Sequence, residues 1–189
     1  MFKDYKYTTL LLFAFIGILT ITSCGDDDPE PPEEEELITT LNLTLTSASG
    51  DVSTFTWQDL DGDGGGIDPI VDIITLEANQ TYTGSIELLN ESESPAEDIT
   101  AEVRDEDDEH QFFFQSTTAG LSVAYGDEDD NGNPLGLINT ITTGDANSGD
   151  LLITLIHRPE KEAEGVMDGD ITNAGGTTDV AATFPVNVQ

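Results

Sequence analysis

The chain has 189 residues, enough for one domain with a core of its own, and sets 39 acidic residues against five basic ones for a formal net charge of −34. A nucleic-acid partner is all but excluded, because phosphate binding needs a basic surface, and adhesion to anionic lipid headgroups is disfavoured for the same reason. The single cysteine, Cys24, allows no disulfide, so the fold must stand on burial, hydrogen bonding and any bound metal.

Residues 1–23 read as a lipoprotein signal peptide. Lys3 and Lys6 precede a short apolar core, Leu10 to Ile21, and small residues lead into Cys24. A core this short falls below the roughly 20 residues of a membrane span and fits a secretory signal. Cys24 stands where the lipid-modified residue becomes the new N-terminus. Acyl chains contribute about 0.8 kcal/mol per buried CH₂, so the lipid on Cys24 is expected to hold the protein at the membrane. Beyond the signal only Arg104, Arg158 and Lys161 remain basic. Residues 24–36 comprise the lipidated cysteine and an acidic, proline-rich tether, GDDDPEPPEEEE, with no apolar residue to bury. Extended at about 3.1 Å per residue, twelve residues reach roughly 35–40 Å.

Residues 37–189 change character. Leu41, Leu43 and Leu45 alternate with polar residues, as do Phe55 and Trp57, then Tyr82, Ile86 and Leu88. The same period of two continues through Ile99, Ala101 and Val103, Leu121 to Tyr125, Leu137 to Ile141, Leu151 to Leu155 and Phe184 to Val188. This is the pattern of half-buried strands. Weaker strands are expected near Pro69–Leu76 and His110–Phe114, and Glu160–Glu164 is expected to form at most one helical turn. Glycine-, asparagine- and aspartate-rich turns separate the runs. The expected fold is all-β: an antiparallel β-sandwich, immunoglobulin-like, with a closed barrel as the alternative. Phe112-Phe113-Phe114 breaks the alternation and predicts a strand buried on both faces or an edge covered by a loop. Trp57 is expected in the core.

Three groups of side chains can carry binding chemistry. Asp127, Asp129 and Asn131 with Gly132 follow the first half of a calcium loop, in which alternate side-chain oxygens converge on one cation. The twelfth position is Ile138, which rules out an EF-hand. Asp59, Asp61 and Asp63 repeat the spacing before a glycine run, and both segments read equally as acidic turns. His110 and His157, the only two histidines, each stand at a strand end near carboxylates, Glu109 and Glu160. If the fold brings them together, two imidazoles and a carboxylate suit zinc or another transition metal. Catalytic motifs are missing: the sequence has no GxSxG, no HExxH and no phosphate-binding glycine loop, so an enzyme is not expected.

Ile21-Thr22-Ser23-Cys24 followed by Gly25-Asp26-Asp27-Asp28 resembles the lipoprotein signal and acidic export tag of Bacteroidota surface lipoproteins. The segments Tyr82–Asn90 and Gly169–Gly176 resemble a group of small lipoproteins of those bacteria, some labelled "type 1 periplasmic binding fold". That label implies an α/β fold, whereas the periodicity here predicts strands. The resemblance implies an outer-membrane, surface-facing lipoprotein (with the periplasmic face as the alternative) that accompanies a receptor in nutrient or metal uptake. The expected function is a non-enzymatic, lipid-anchored binding or accessory protein assisting ligand or metal-ion uptake. The alternative is a structural or adhesive surface module stabilised by calcium.

Overall fold

The computed structural model describes residues 37–62 and 65–189. The signal peptide, Cys24, the tether and Asp63 lie outside the described residues. Eleven strands and one α-helix are found among those described: β1 (Thr40–Ser47), β2 (Val52–Gln58), β3 (Ile70–Val71), β4 (Ile74–Leu76), β5 (Thr81–Asn90), β6 (Glu97–Asp98), α1 (Ile99–Asp105), β7 (His110–Ser116), β8 (Ser122–Tyr125), β9 (Ile138–Thr142), β10 (Asn147–His157) and β11 (Thr177–Val188). No helix among the described residues is long and apolar enough to cross a membrane.

The strands form two sheets packed face to face. The first runs β3-β2-β1-β5-β9-β8, with β6 added at the end of β5; the second runs β4-β11-β10-β7. All pairings are antiparallel except β4 with β11. This is the expected sandwich, and two separate sheets exclude the closed barrel. Leu41, Leu43, Leu45, Ile86 and Leu88 of the first sheet meet Phe112, Ile153, Leu155, Ala182, Phe184 and Val186 of the second, all buried. Each fully buried leucine, isoleucine, valine or phenylalanine here contributes about 1.5–3 kcal/mol through water released from apolar surface. Trp57 is only partly buried, packed against the edge of this core.

Strand β7 carries the three consecutive phenylalanines at an edge of the second sheet. Phe112 enters the main core. Phe113 points the other way, into a second cluster with Ile156, Val166 and Ala174. Residues 159–176 cover that outer face, so β7 is an edge strand buried beneath a loop, one of the two arrangements expected. Glu160–Glu164 makes a turn closed by the Ala163 N–H on the Glu160 carbonyl, 2.8 Å. A single 3₁₀ turn, Val166–Asp168, follows it.

One predicted strand is a helix. Ile99, Ala101 and Val103 were expected to alternate, but residues 99–105 form α1. Ile99 and Val103 are buried and Ala101 is exposed, the i, i+4 spacing of a helical face. Buried apolar residues four apart satisfy both periods when the segment is so short, and the cap decides between them. Asp98 accepts the Thr100 N–H at 3.0 Å as N-cap. The Thr100 hydroxyl donates to the Leu88 carbonyl and accepts the Leu88 N–H, fixing α1 to β5.

Candidate metal centre

The two histidines meet. His110 opens β7 and His157 closes β10, and the register sets them directly opposite each other. Their neighbours fix the type of pair. Arg158 donates its backbone N–H to the Glu109 carbonyl at 2.6 Å, so the hydrogen-bonding groups of the adjoining residues span the strands and those of His110 and His157 face away. Such non-hydrogen-bonded pairs bring side chains closest. The imidazoles stack, with centroids 4.7 Å apart and planes 20° apart. Both rings are buried, at 0% and 6% exposure. His110 shares its sheet face with Phe112, so the pair closes one end of the main core.

Carboxylates surround the pair. Glu106, the C-cap of α1, joins His110 and His157 in a cluster whose ligand atoms, one from each residue, all lie within 4.8 Å of one another. The His110 Nδ1 lies 3.0 Å from the Glu106 carbonyl oxygen. A carbonyl only accepts, so Nδ1 carries the proton in this bond. The other nitrogen, Nε2, is 3.8 Å from Oδ2 of Asp179. His157 Nε2 is 3.4 Å from Oε2 of Glu109, which also accepts from Nε of Arg158. Arg158 adopts φ 53°, an uncommon left-handed conformation for a residue with a side chain. The turn there swings the chain out of β10 into the covering loop.

Asp179 owes its position to a bulge. The β10–β11 register passes from Leu155↔Val180 to Ile156↔Thr178, leaving Asp179 as the extra residue. Bulges re-aim side chains, and this one turns a fully buried carboxylate toward His110. Two imidazoles, a Glu106 carboxylate open to solvent and further carboxylates behind them can hold a metal ion. Metal binding needs the imidazole nitrogens free of protons, so metal and protons compete for the site.

The acidic loops use their oxygens differently. Asp127 accepts the N–H groups of Gly136 (2.7 Å) and Ile138 (2.9 Å). Asp129 accepts those of Asn131 and Asn133 and faces the ammonium of Lys161, 3.0 Å from Oδ2. Lys161 also donates to the carbonyls of Asp107 (2.6 Å) and Pro134 (3.3 Å). A buried ammonium in an oxygen cage thus stands beside the segment that resembles half a calcium loop. Burial pushes the Asp129 carboxyl up, but the Asn133 donors and Lys161 outweigh it and hold it below the ordinary 3.8. Asp107 is raised, first by desolvation and then by the charges of Asp130 and Asp129. In the other loop, Asp61 accepts the N–H groups of Gly66 and Ile67, and Asp59 is buried at 8% exposure.

Sequence reasoning paired the right histidines and named Glu109, but it missed Glu106 and Asp179. Glu106 lies four residues before His110, as the C-cap of α1, in an acidic run that reads in the sequence as a solvated connection. Asp179 enters only through a bulge, which alternation does not reveal. Glu160, named with His157, instead lines a neighbouring depression of about 470 Å³ with Lys161 and Glu162. No family model, no curated protein and no solved structure matches this chain, so the site is read from its own geometry.

Proposed function

We propose that this protein is a lipid-anchored, non-enzymatic outer-membrane binding protein that captures a transition-metal ion, zinc by preference, and assists its uptake. The observation that carries the reading is the stacked cross-strand pair His110–His157 with Glu106 beside it. Imidazole nitrogens with a carboxylate suit zinc, which takes N and O ligands at four-coordinate sites. Oxygen-only shells suit calcium instead. Burial of the rings gives a preformed site, and the exposed Glu106 leaves a way in. A surface position on the cell follows from the signal peptide, Cys24 and the acidic tether read in the sequence, and a receptor in the same membrane is the proposed partner.

The test is zinc titration of the purified protein beside His110→Ala and His157→Ala. Micromolar or tighter binding, lost in both variants, supports the reading; affinity unchanged by either substitution defeats it. For the anchor, Cys24→Ala should release the protein from membranes.

Calcium stabilisation of the acidic loops is the second reading. Its observation is the oxygen-rich surroundings of Asp127–Asn131, and its test is a melting temperature that rises in calcium beyond a matched salt control. Lys161 already supplies a positive charge there, which favours the histidine site over this one.

A further inference from the structure

The edge of the second sheet is open along part of β11. Strand β4 covers only Val186–Val188. Before β4 the chain belongs to the first sheet, where Trp57 pairs with Val71 and Gln58 with Ile70. A cleft of about 750 Å³ lies where the two sheets part, lined by Trp57, Asp59, Asp68 and Val71 on one side and by Thr178–Ala181 and Thr183 on the other.

The hydrogen bonds fix which backbone groups face it. The Gln189 N–H donates to the Leu76 carbonyl, and the Ala78 N–H donates to the Gln189 carbonyl. Residue 189 therefore faces the β4 side, and by the period of two so do Asn187, Pro185, Thr183 and Ala181. The opposite strand agrees. Asp150, paired with Pro185, turns its backbone to Thr117 on the β7 side. Pro185 lacks an N–H, as expected of a position facing an edge. Thr183 and Ala181 thus present their N–H and C=O groups along the cleft.

The cleft also carries charge of one sign only. Asp59 and Asp68 line it together with the bulge residue Asp179, and among the described residues no lysine or arginine does. Asp59 is more than nine-tenths buried, and its Oδ1 accepts no hydrogen bond from the described residues. A buried carboxylate oxygen left so is costly, and a donor entering the cleft would satisfy it.

We infer that this cleft binds an extended peptide segment of a partner protein, which adds as a strand to β11 and places a lysine or arginine against Asp59. Strand addition draws affinity from main-chain hydrogen bonds and specificity from alternate side chains. Here the main-chain partners are Ala181 and Thr183, and the side-chain determinants are Asp59 and the ring of Trp57. The inference does not rest on the metal reading.

Trp57 is the only tryptophan, so its fluorescence reports on the cleft directly. The probe is a capped hexapeptide of alternating valine and lysine, titrated at physiological salt. A second peptide of the same sequence and charge carries N-methyl groups on alternate residues of its hydrogen-bonding edge. The first should shift Trp57 emission saturably and the second should not. Asp59→Asn should weaken the first by about tenfold or more, the loss of one close charge pair. Thr183→Pro removes an outward N–H and should abolish binding while leaving circular dichroism unchanged, as Pro185 is already tolerated in the strand. Equal binding of the two peptides would show charge attraction alone and overturn the inference. So would the absence of a Trp57 response in the unsubstituted protein, which needs no variant to fold.

Discussion

The Lys161 ammonium lies 3.0 Å from Asp129, with 5% and 0% of the two side chains exposed. It joins the covering loop of residues 159–176 to the acidic loop after β8. Removing one member of a buried ion pair strands the other charge and costs about 3–5 kcal/mol. Lys161→Met should destabilise by that amount in chemical denaturation. Adding Asp129→Asn should recover much of the loss, because the amide oxygen still accepts the Asn131 and Asn133 N–H groups and no charge is left buried.

The same pair sets an acid limit. Asp129 has a folded-state pKa below its ordinary value, so the unfolded chain binds the proton more readily. Its stabilisation is complete above about pH 4–5 and is lost as pH falls through the lower folded-state value. The melting temperature should therefore drop below pH 4, and the drop should be smaller in the Lys161→Met, Asp129→Asn variant. A pH–melting curve for both proteins checks this.

Asp107 works in the opposite direction. Its pKa is raised by desolvation and by Asp130 and Asp129, so its contribution is favourable below the ordinary 3.8 and is lost as pH rises through the higher folded-state value. Asp107→Asn should raise the melting temperature at pH 7. The gain should vanish at pH 3, where the native aspartate is itself protonated.

Gly136 has φ 100°, and a Cβ there would lie 2.8 Å from that of Phe112 and 3.1 Å from the Tyr125 ring. Its N–H is also the one held by Asp127. Gly136→Ala should destabilise by more than the roughly 1 kcal/mol that Gly-to-Ala changes usually alter. Restoring space with Tyr125→Leu should not rescue it fully, since the backbone strain persists. Urea unfolding of the single and double variants separates the two terms.

Phe113→Ala should cost about 3–5 kcal/mol, the usual penalty of a phenylalanine-sized cavity. The loss should also loosen residues 159–176, whose packing rests on Phe113, Ile156, Val166 and Ala174. Hydrogen exchange should show the Glu160 and Ala163 N–H groups, both held in loop bonds, exchanging faster in this variant.

Most of the sandwich was legible because alternating Leu41-x-Leu43-x-Leu45 has one physical meaning when turns bound it on both sides. The period alone could not separate strand from helix at residues 99–105, where a single pair, Ile99 and Val103, carries the buried face. The calcium spacing of Asp127–Asn131 was equally visible, but what its oxygens do depends on Lys161, some thirty residues away. For the metal centre, residue types were legible and their meeting was not. The pairing of His110 with His157 is a matter of strand register, and Asp179 reaches His110 only through the bulge. Signal peptide, Cys24 and tether lie outside the described residues and rest on the sequence.

His110, His157 and Glu106 are proposed to hold one metal ion. Calorimetric titration of zinc into the protein at pH 7.5 and again near pH 5, with His110→Ala and His157→Ala alongside, tests it most directly. One zinc per chain is expected at the higher pH, with a large loss of affinity near pH 5, because protons compete with the metal for the imidazole nitrogens. Neither variant should bind, and saturating zinc should raise the melting temperature, with about 2.7 kcal/mol gained at a hundred times the dissociation constant. Zinc binding that survives both substitutions, or no binding at either pH, would contradict it.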